Sequence, residues 1–137
     1  MQIASYADLL SAARAQPQPQ RLLFTFARAG LPEQARVAEQ ARYASGSGGT
    51  LTPVLCVDKT PDEAPTFASL VEESRHAGAQ WDVAFVTSIS GRAGQAASSG
   101  EAEGALKMMV AAIQSGQIDR FLAFDRGGDL LRFEAKS

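Results

Sequence analysis

The sequence predicts an α/β fold: a single compact domain over residues 1–137, built on a mixed, mostly parallel sheet of about five strands that ends in a β-hairpin. Three observations lead there. Short runs of strand formers alternate with stretches of helical periodicity, giving the order α-β-α-β-α-β-α-β-β. Strands separated by helices call for right-handed crossovers and hence for parallel neighbours. The last two apolar runs are instead joined by Arg126-Gly127-Gly128, a tight turn that adds one antiparallel strand. A chain of 137 residues hides about two-thirds of its unfolded surface, enough for a real core.

Each element has a local cause. Ser5 caps a first helix on which Tyr6, Leu9, Leu10 and Ala13 share a face, and the PQPQ of residues 17–20 ends it. RLLFTFA (21–27) is apolar on both sides, as a buried strand requires. Pro32 opens an exposed, alanine-faced helix over 32–44, closed by the SGSGG loop. LTPVLCVDK (51–59) is a second strand with Pro53 near its start. Pro61 begins a helical turn that Pro65 separates from the main helix FASLVEESRHA, and Gly78 fits the left-handed position after it. WDVAFVTSIS (81–90) is a third strand. Ser98 or Ser99 caps the last helix, with Leu106, Met109, Val110 and Ile113 as its buried stripe and Met108 and Met109 as core packing. No internal repeat marks a solenoid.

Composition narrows the function. Thirteen basic and fifteen acidic side chains leave a net charge of −2, which supplies no general attraction for nucleic acid or anionic lipid. The opening MQIASYADLLSAARAQ has no basic n-region or unbroken apolar core, and no run is long and apolar enough for a membrane helix; a cytoplasmic location is expected. Cys56 is the sole cysteine, so no internal disulfide can form. One Cys and one His do not make an intramolecular zinc site, and no metal or cofactor is expected.

Most catalytic arrangements fail on geometry. His76 lies in the last turn of its helix, at the edge opposite the one where Ser88 and Ser90 emerge, so a Ser-His-Asp triad does not assemble. The hydrolase elbow GxSxG is absent. Cys56, mid-strand in VLCVD, reads as a small buried hydrophobe. The glycine-rich stretch SISGRAGQAASSGEAEG (88–104) matches neither phosphate-loop pattern, and Glu101 and Glu103 would repel a phosphate from the helix start. Its second half reads as an acidic helix cap. Its middle, longer than the common strand-to-helix connection, reads as a mobile flap.

One pattern survives. FTFARAG, LCVDKTP and LAFDRGG each pass from apolar residues to Ala or Asp and then to a basic residue. With parallel strands, Arg28, Asp58, Lys59, Thr60, Ser90, Arg92, Asp125 and Arg126 converge on the carboxyl edge of the sheet, where open α/β sheets bind ligands. Arg28, Lys59, Arg92 and Arg126 would contact an anion there. Asp58 would be its acid-base or metal-binding group, with Asp125 a second carboxylate.

The stretches QRLLFTFARAGLPEQA, GGTLTPVLCVDKTPDE and FLAFDRGGDL resemble those of a small proteobacterial family of unknown function, some of whose members carry the label "ribonucleotide reductase subunit alpha". The resemblance spans nearly the whole chain and implies a small cytoplasmic bacterial protein. The label's chemistry has no counterpart here: a reductase large subunit needs a radical-forming cysteine and a reducible cysteine pair in a large barrel, and this chain has one cysteine.

Two functions are therefore set against each other. The first is a non-catalytic accessory or interaction domain, whose partner is a second copy or another protein and whose terminal strand DLLRFEA forms a sheet edge guarded by Arg132, Glu134 and Lys136. The second is binding of, or slow chemistry on, a small anionic metabolite at the carboxyl edge. A concave pocket joining at least three of the strand-end residues would favour the second, and an exposed apolar patch the first.

Overall fold

A computed structural model describes residues 3–30 and 50–131. The helix expected over 32–44 and the guarding charges Arg132, Glu134 and Lys136 lie outside the described residues. Within them the elements run α1 (Tyr6–Arg14), β1 (Gln20–Gly30), β2 (Thr50–Lys59), a single 3₁₀ turn (Pro61–Glu63), α2 (Phe67–His76), β3 (Val83–Ser90), α3 (Ser99–Gln114), β4 (Leu122–Phe124) and β5 (Leu130–Leu131).

The starts of α1 and α3 follow the residues that predict them, Ser5 and Ser98, whereas the cap of α2, Thr66, is one the sequence reading did not single out. Ser5 accepts from the Asp8 backbone N–H, Thr66 from that of Ser69, and Ser98 from that of Glu101. Pro65 does separate the 3₁₀ turn from α2, and Gly78 takes a positive φ of 76° just past the end of α2. At the C-terminal hairpin, Asp125 Oδ1 accepts from the N–H groups of Gly127 and Asp129, and Gly128 has φ 88°.

The described elements, in the order α-β-β-α-β-α-β-β, depart from the expected α-β-α-β-α-β-α-β-β, and the sheet overturns the expected mostly parallel arrangement. Its order is β2-β1-β3-β4-β5, and all four pairings are antiparallel. Parallel pairing requires each helix to run back along its strand and return the chain to the edge where that strand began. Only β2 and β3 share a direction across a helical connection, and β1 lies between them. α3 does not run back along β3: it lies across β1 and β2, and the chain rejoins the sheet at Leu122, opposite Val86 in the middle of β3. A connection can contain a helix and still deliver an antiparallel neighbour, because direction is set by which edge the chain re-enters from.

The sheet separates two cores. On one face Leu22, Phe24, Phe26, Ala84, Val86 and Phe124 pack against α1, α2 and Trp81. On the other, Leu23, Ala27, Val83, Phe85 and Ala123 meet Ala102, Met109 and Ile113 of α3. The apolar residues on both sides of β1 thus have their reason, since Leu22 to Ala27 are all buried. Aromatic rings dominate the first core: Phe26 and Trp81 lie 4.9 Å apart, Phe67 and Phe124 5.6 Å.

Three local expectations change. The buried stripe of α3 is Ala102, Met109, Ala112 and Ile113, with Leu106 and Val110 at its margin; small alanines let the helix approach the sheet. Met109 is core, but Met108 is 74% exposed. Cys56 is only half-buried because β2 is an edge strand, and its Sγ lies 3.6 Å from Thr25 Oγ1. Pro53 sits where the β1–β2 register slips between Phe26 and Ala27, a bulge in an edge strand. Among the described residues, no helix is long and apolar enough to cross a membrane.

Candidate functional site

Antiparallel pairing divides the predicted site in two. The registers Asp58 with Leu23, Lys59 with Leu22 and Ser90 with Gln20 put Asp58, Lys59, Thr60, Ser90 and Arg92 at one end of the sheet. The registers Val83 with Ala27 and Ala84 with Phe124 put Arg28, Asp125 and Arg126 at the other. The expected convergence of all eight does not occur, since β1 and β4 run opposite to β2 and β3. Asp58 and Asp125 are likewise at opposite ends and do not form a carboxylate pair.

At the first end the side chains serve the fold. Asp58 is 2.7 Å from Arg21 in a largely buried ion pair, and Arg21 also donates through Nε to the Ala97 carbonyl at 2.7 Å. Lys59 pairs with Glu73 at 2.8 Å and Arg92 with Glu101 at 3.1 Å. Ser90 accepts from Gln20 Nε2, and Ser88 donates to Gln20 Oε1, which satisfies a buried amide. The Ser98 backbone N–H, and then the Arg92 charge, hold the Glu101 carboxyl below its ordinary range. These groups are partnered with one another.

The segment expected to be a flap is anchored. Arg92 and Gln95 exchange backbone hydrogen bonds around Ala93 and Gly94, both at positive φ, as a mirror-image hairpin turn requires. Gly91 donates to the Pro19 carbonyl at 2.8 Å, and Gly94 to Gln18 Oε1 at 2.9 Å. A Cβ on Gly91 would collide with the Gln95 carbonyl, which accounts for glycine there. His76 is exposed and 3.4 Å from Glu72, and its neighbour Arg75 lies with Arg28 and Arg126 at the end of the sheet away from Ser90.

Two concave features stand apart from this paired framework. At the second end, a cleft of about 410 Å³ is bordered by Arg28, Arg75, Asp82 and Arg126 above Trp81. On the α3 face, an open apolar groove of about 470 Å³ runs between α3 and the outer half of β3. Leu23, Thr87, Ile89, Met108, Met109 and Phe121 line it, and Arg120 is the charged residue at its margin. The groove exists because β4 is short: it pairs with Ala84, Phe85 and Val86, and Phe121 then turns away by donating to the Ile118 carbonyl. Among the described residues, Thr87 to Ser90 have no strand on that side.

Reading the sequence selects Arg28 and Arg126 but misses Arg75, Trp81, Met108 and Arg120. A tryptophan at the head of the expected strand 81–90, which in the structure begins only at Val83, and one methionine too many for a helical stripe were the available signals; their positions depend on strand order. Among the described residues, no cluster of three or more His, Cys, Asp or Glu could hold a metal. In comparisons of the chain with known proteins, no family model, curated protein or solved structure matches.

Proposed function

We propose that the protein is a non-catalytic, cytoplasmic interaction module that takes up an extended, largely apolar segment of a partner protein along the outer edge of β3. One observation carries this reading: four residues of β3, Thr87 to Ser90, have an open edge beside an apolar groove that ends at Met108. Main-chain groups on such an edge bind a strand irrespective of its sequence, and alternate side chains of that strand then enter the groove. Arg120 has no ion-pair partner among the described residues, so an acidic residue on the incoming segment gives charge complementarity at the groove's margin. The partnered charges at the Asp58 end support a binding role over a catalytic one. Cys56 as sole cysteine agrees with a reducing compartment.

The test is an amide NMR titration with a synthetic peptide of alternating valine and threonine ending in glutamate. Shifts should concentrate at Thr87 to Ile89, Ala105 to Ala112 and Phe121, and Met108→Glu should abolish them. Shifts confined to other surfaces, or none, would refute the reading. If the same resonances move with protein concentration alone, and sedimentation shows a dimer, the occupant is a second copy of the chain and not a different protein.

A further inference from the structure

We infer that the cleft between Arg28, Arg75 and Arg126 is a second, independent site, which binds the oxyanion group of a small molecule, a carboxylate or a phosphate. The contrast between the two ends of the sheet motivates it. At the Asp58 end, Arg14, Arg21, Lys59 and Arg92 each have a carboxylate within ion-pair distance. At the other end, Arg28 and Arg126 have none among the described residues, and Arg75 has only Glu72, one turn back on its own helix.

The three guanidinium groups come from separate elements that are fixed independently. Arg28 follows the buried stretch of β1, and its neighbour Ala29 donates to Asp82 Oδ2 at 2.8 Å while Asp82 donates back to Ala27 at 2.9 Å. That bond engages the cleft's one acidic lining residue, which faces three arginines, so the lining keeps a positive excess in a chain whose net charge is −2. Arg126 projects from the hairpin that Asp125 closes; Gly128 in that hairpin packs within van der Waals reach of Phe67, where a Cβ would stand 3.3 Å from the ring. Arg75 sits in the last turn of α2, whose end is closed by Gly78 and Ala79 donating to the Arg75 and Ser74 carbonyls. Forked guanidinium donors match the planar oxygens of carboxylate and the faces of phosphate, and several around one concavity favour an oxyanion over a neutral ligand.

The site also contains its own reporter. Arg126 lies 5.5 Å from the ring of Trp81, the only tryptophan in the chain, and Trp81 Nε1 is fixed by a 2.8 Å bond to Ser74 Oγ. An anion that draws Arg126 toward itself alters the charge over the indole. Titration with inorganic phosphate, pyrophosphate and citrate, each against sodium chloride at matched ionic strength, should therefore give a saturable change in tryptophan emission with at least one of them. Phosphate and pyrophosphate acting without citrate would identify a phosphoryl ligand, and citrate alone a carboxylate. Calorimetry should show affinity reduced about tenfold or more in Arg28→Gln and in Arg126→Gln, as loss of a charge-assisted hydrogen bond implies. Arg14→Gln, at the remote ion pair with Asp62, should bind as the parent does. No saturable response to any of the three anions, or full affinity in both cleft variants, would overturn the assignment. The strand-binding groove is untouched by either result.

Discussion

Tyr6 shows how one buried polar atom ties remote parts of the chain together. Its hydroxyl donates to the Ala64 carbonyl at 2.7 Å, linking α1 to the connection that precedes α2, and its ring meets Phe67 and Phe124 edge-on. Burial pushes the phenol up to about 12, with the Arg14 charge acting weakly the other way. The folded chain therefore holds this proton more tightly than the unfolded chain. Its contribution to stability is complete below the ordinary tyrosine value of about 10 and is lost as pH rises toward 12. The urea midpoint of the parent protein should fall over that interval more than that of Tyr6→Phe. At neutral pH the same substitution should cost about 1–3 kcal/mol, because the Ala64 carbonyl loses its buried donor.

The start of α3 is the best-defined element boundary. Ser98 and Glu101 satisfy each other's backbone N–H groups, and Glu101 also reaches Arg92 across the turn that precedes the helix. Removing the cap by Ser98→Ala should cost about 1 kcal/mol, measured as a lower urea midpoint with an unchanged slope. The Glu101 carboxyl is held below its ordinary range, so its contribution is present above that range and is lost as pH falls through the lowered value. Acid should accordingly lower the urea midpoint of the parent more than that of Glu101→Gln, which has no carboxyl to titrate. Elements of this kind were legible because a cap and a helical stripe are local: Ser5 and Ser98 act on residues three positions away. The loop at 91–98 was less legible. Its length suggested mobility, whereas its order comes from Gln18, Pro19 and Arg21, more than 70 residues distant in the chain.

For the molecule as a whole, the two faces of the sheet carry unequal duties. The aromatic rings of Tyr6, Phe24, Phe26, Phe67, Trp81 and Phe124 are all buried between the sheet and α1 and α2, while part of the other face is left open beside α3. Phe24→Ala should cost about 3–5 kcal/mol and remove a large share of the total stability of a small domain. Met108→Glu, on the open side, should leave the urea midpoint within about 0.5 kcal/mol of the parent while abolishing strand uptake. A Met108→Glu chain that unfolds readily would instead mark Met108 as part of the core. Oxyanion binding belongs to the opposite end of the sheet from the Asp58 ion pair, so Arg14→Gln and Arg28→Gln should separate cleanly in calorimetry.

The residues by themselves determined the identity of nearly every described element, the caps, the hairpin turn and the burial of β1 on both faces, because these follow from periodicity and from hydrogen bonds a few positions long. Only the tertiary structure decided strand direction, and with it the site. Parallel pairing would have gathered Arg28, Asp58, Ser90 and Arg126 on one edge; antiparallel pairing sends Asp58 and Ser90 to one end, and Arg28 and Arg126 to the other. Among the described residues the order is α-β-β-α-β-α-β-β, with one 3₁₀ turn before α2, and not the expected alternation. What decides direction is the edge at which the chain re-enters the sheet, and that depends on how α3 lies across β1 and β2, a packing choice that no local pattern encodes.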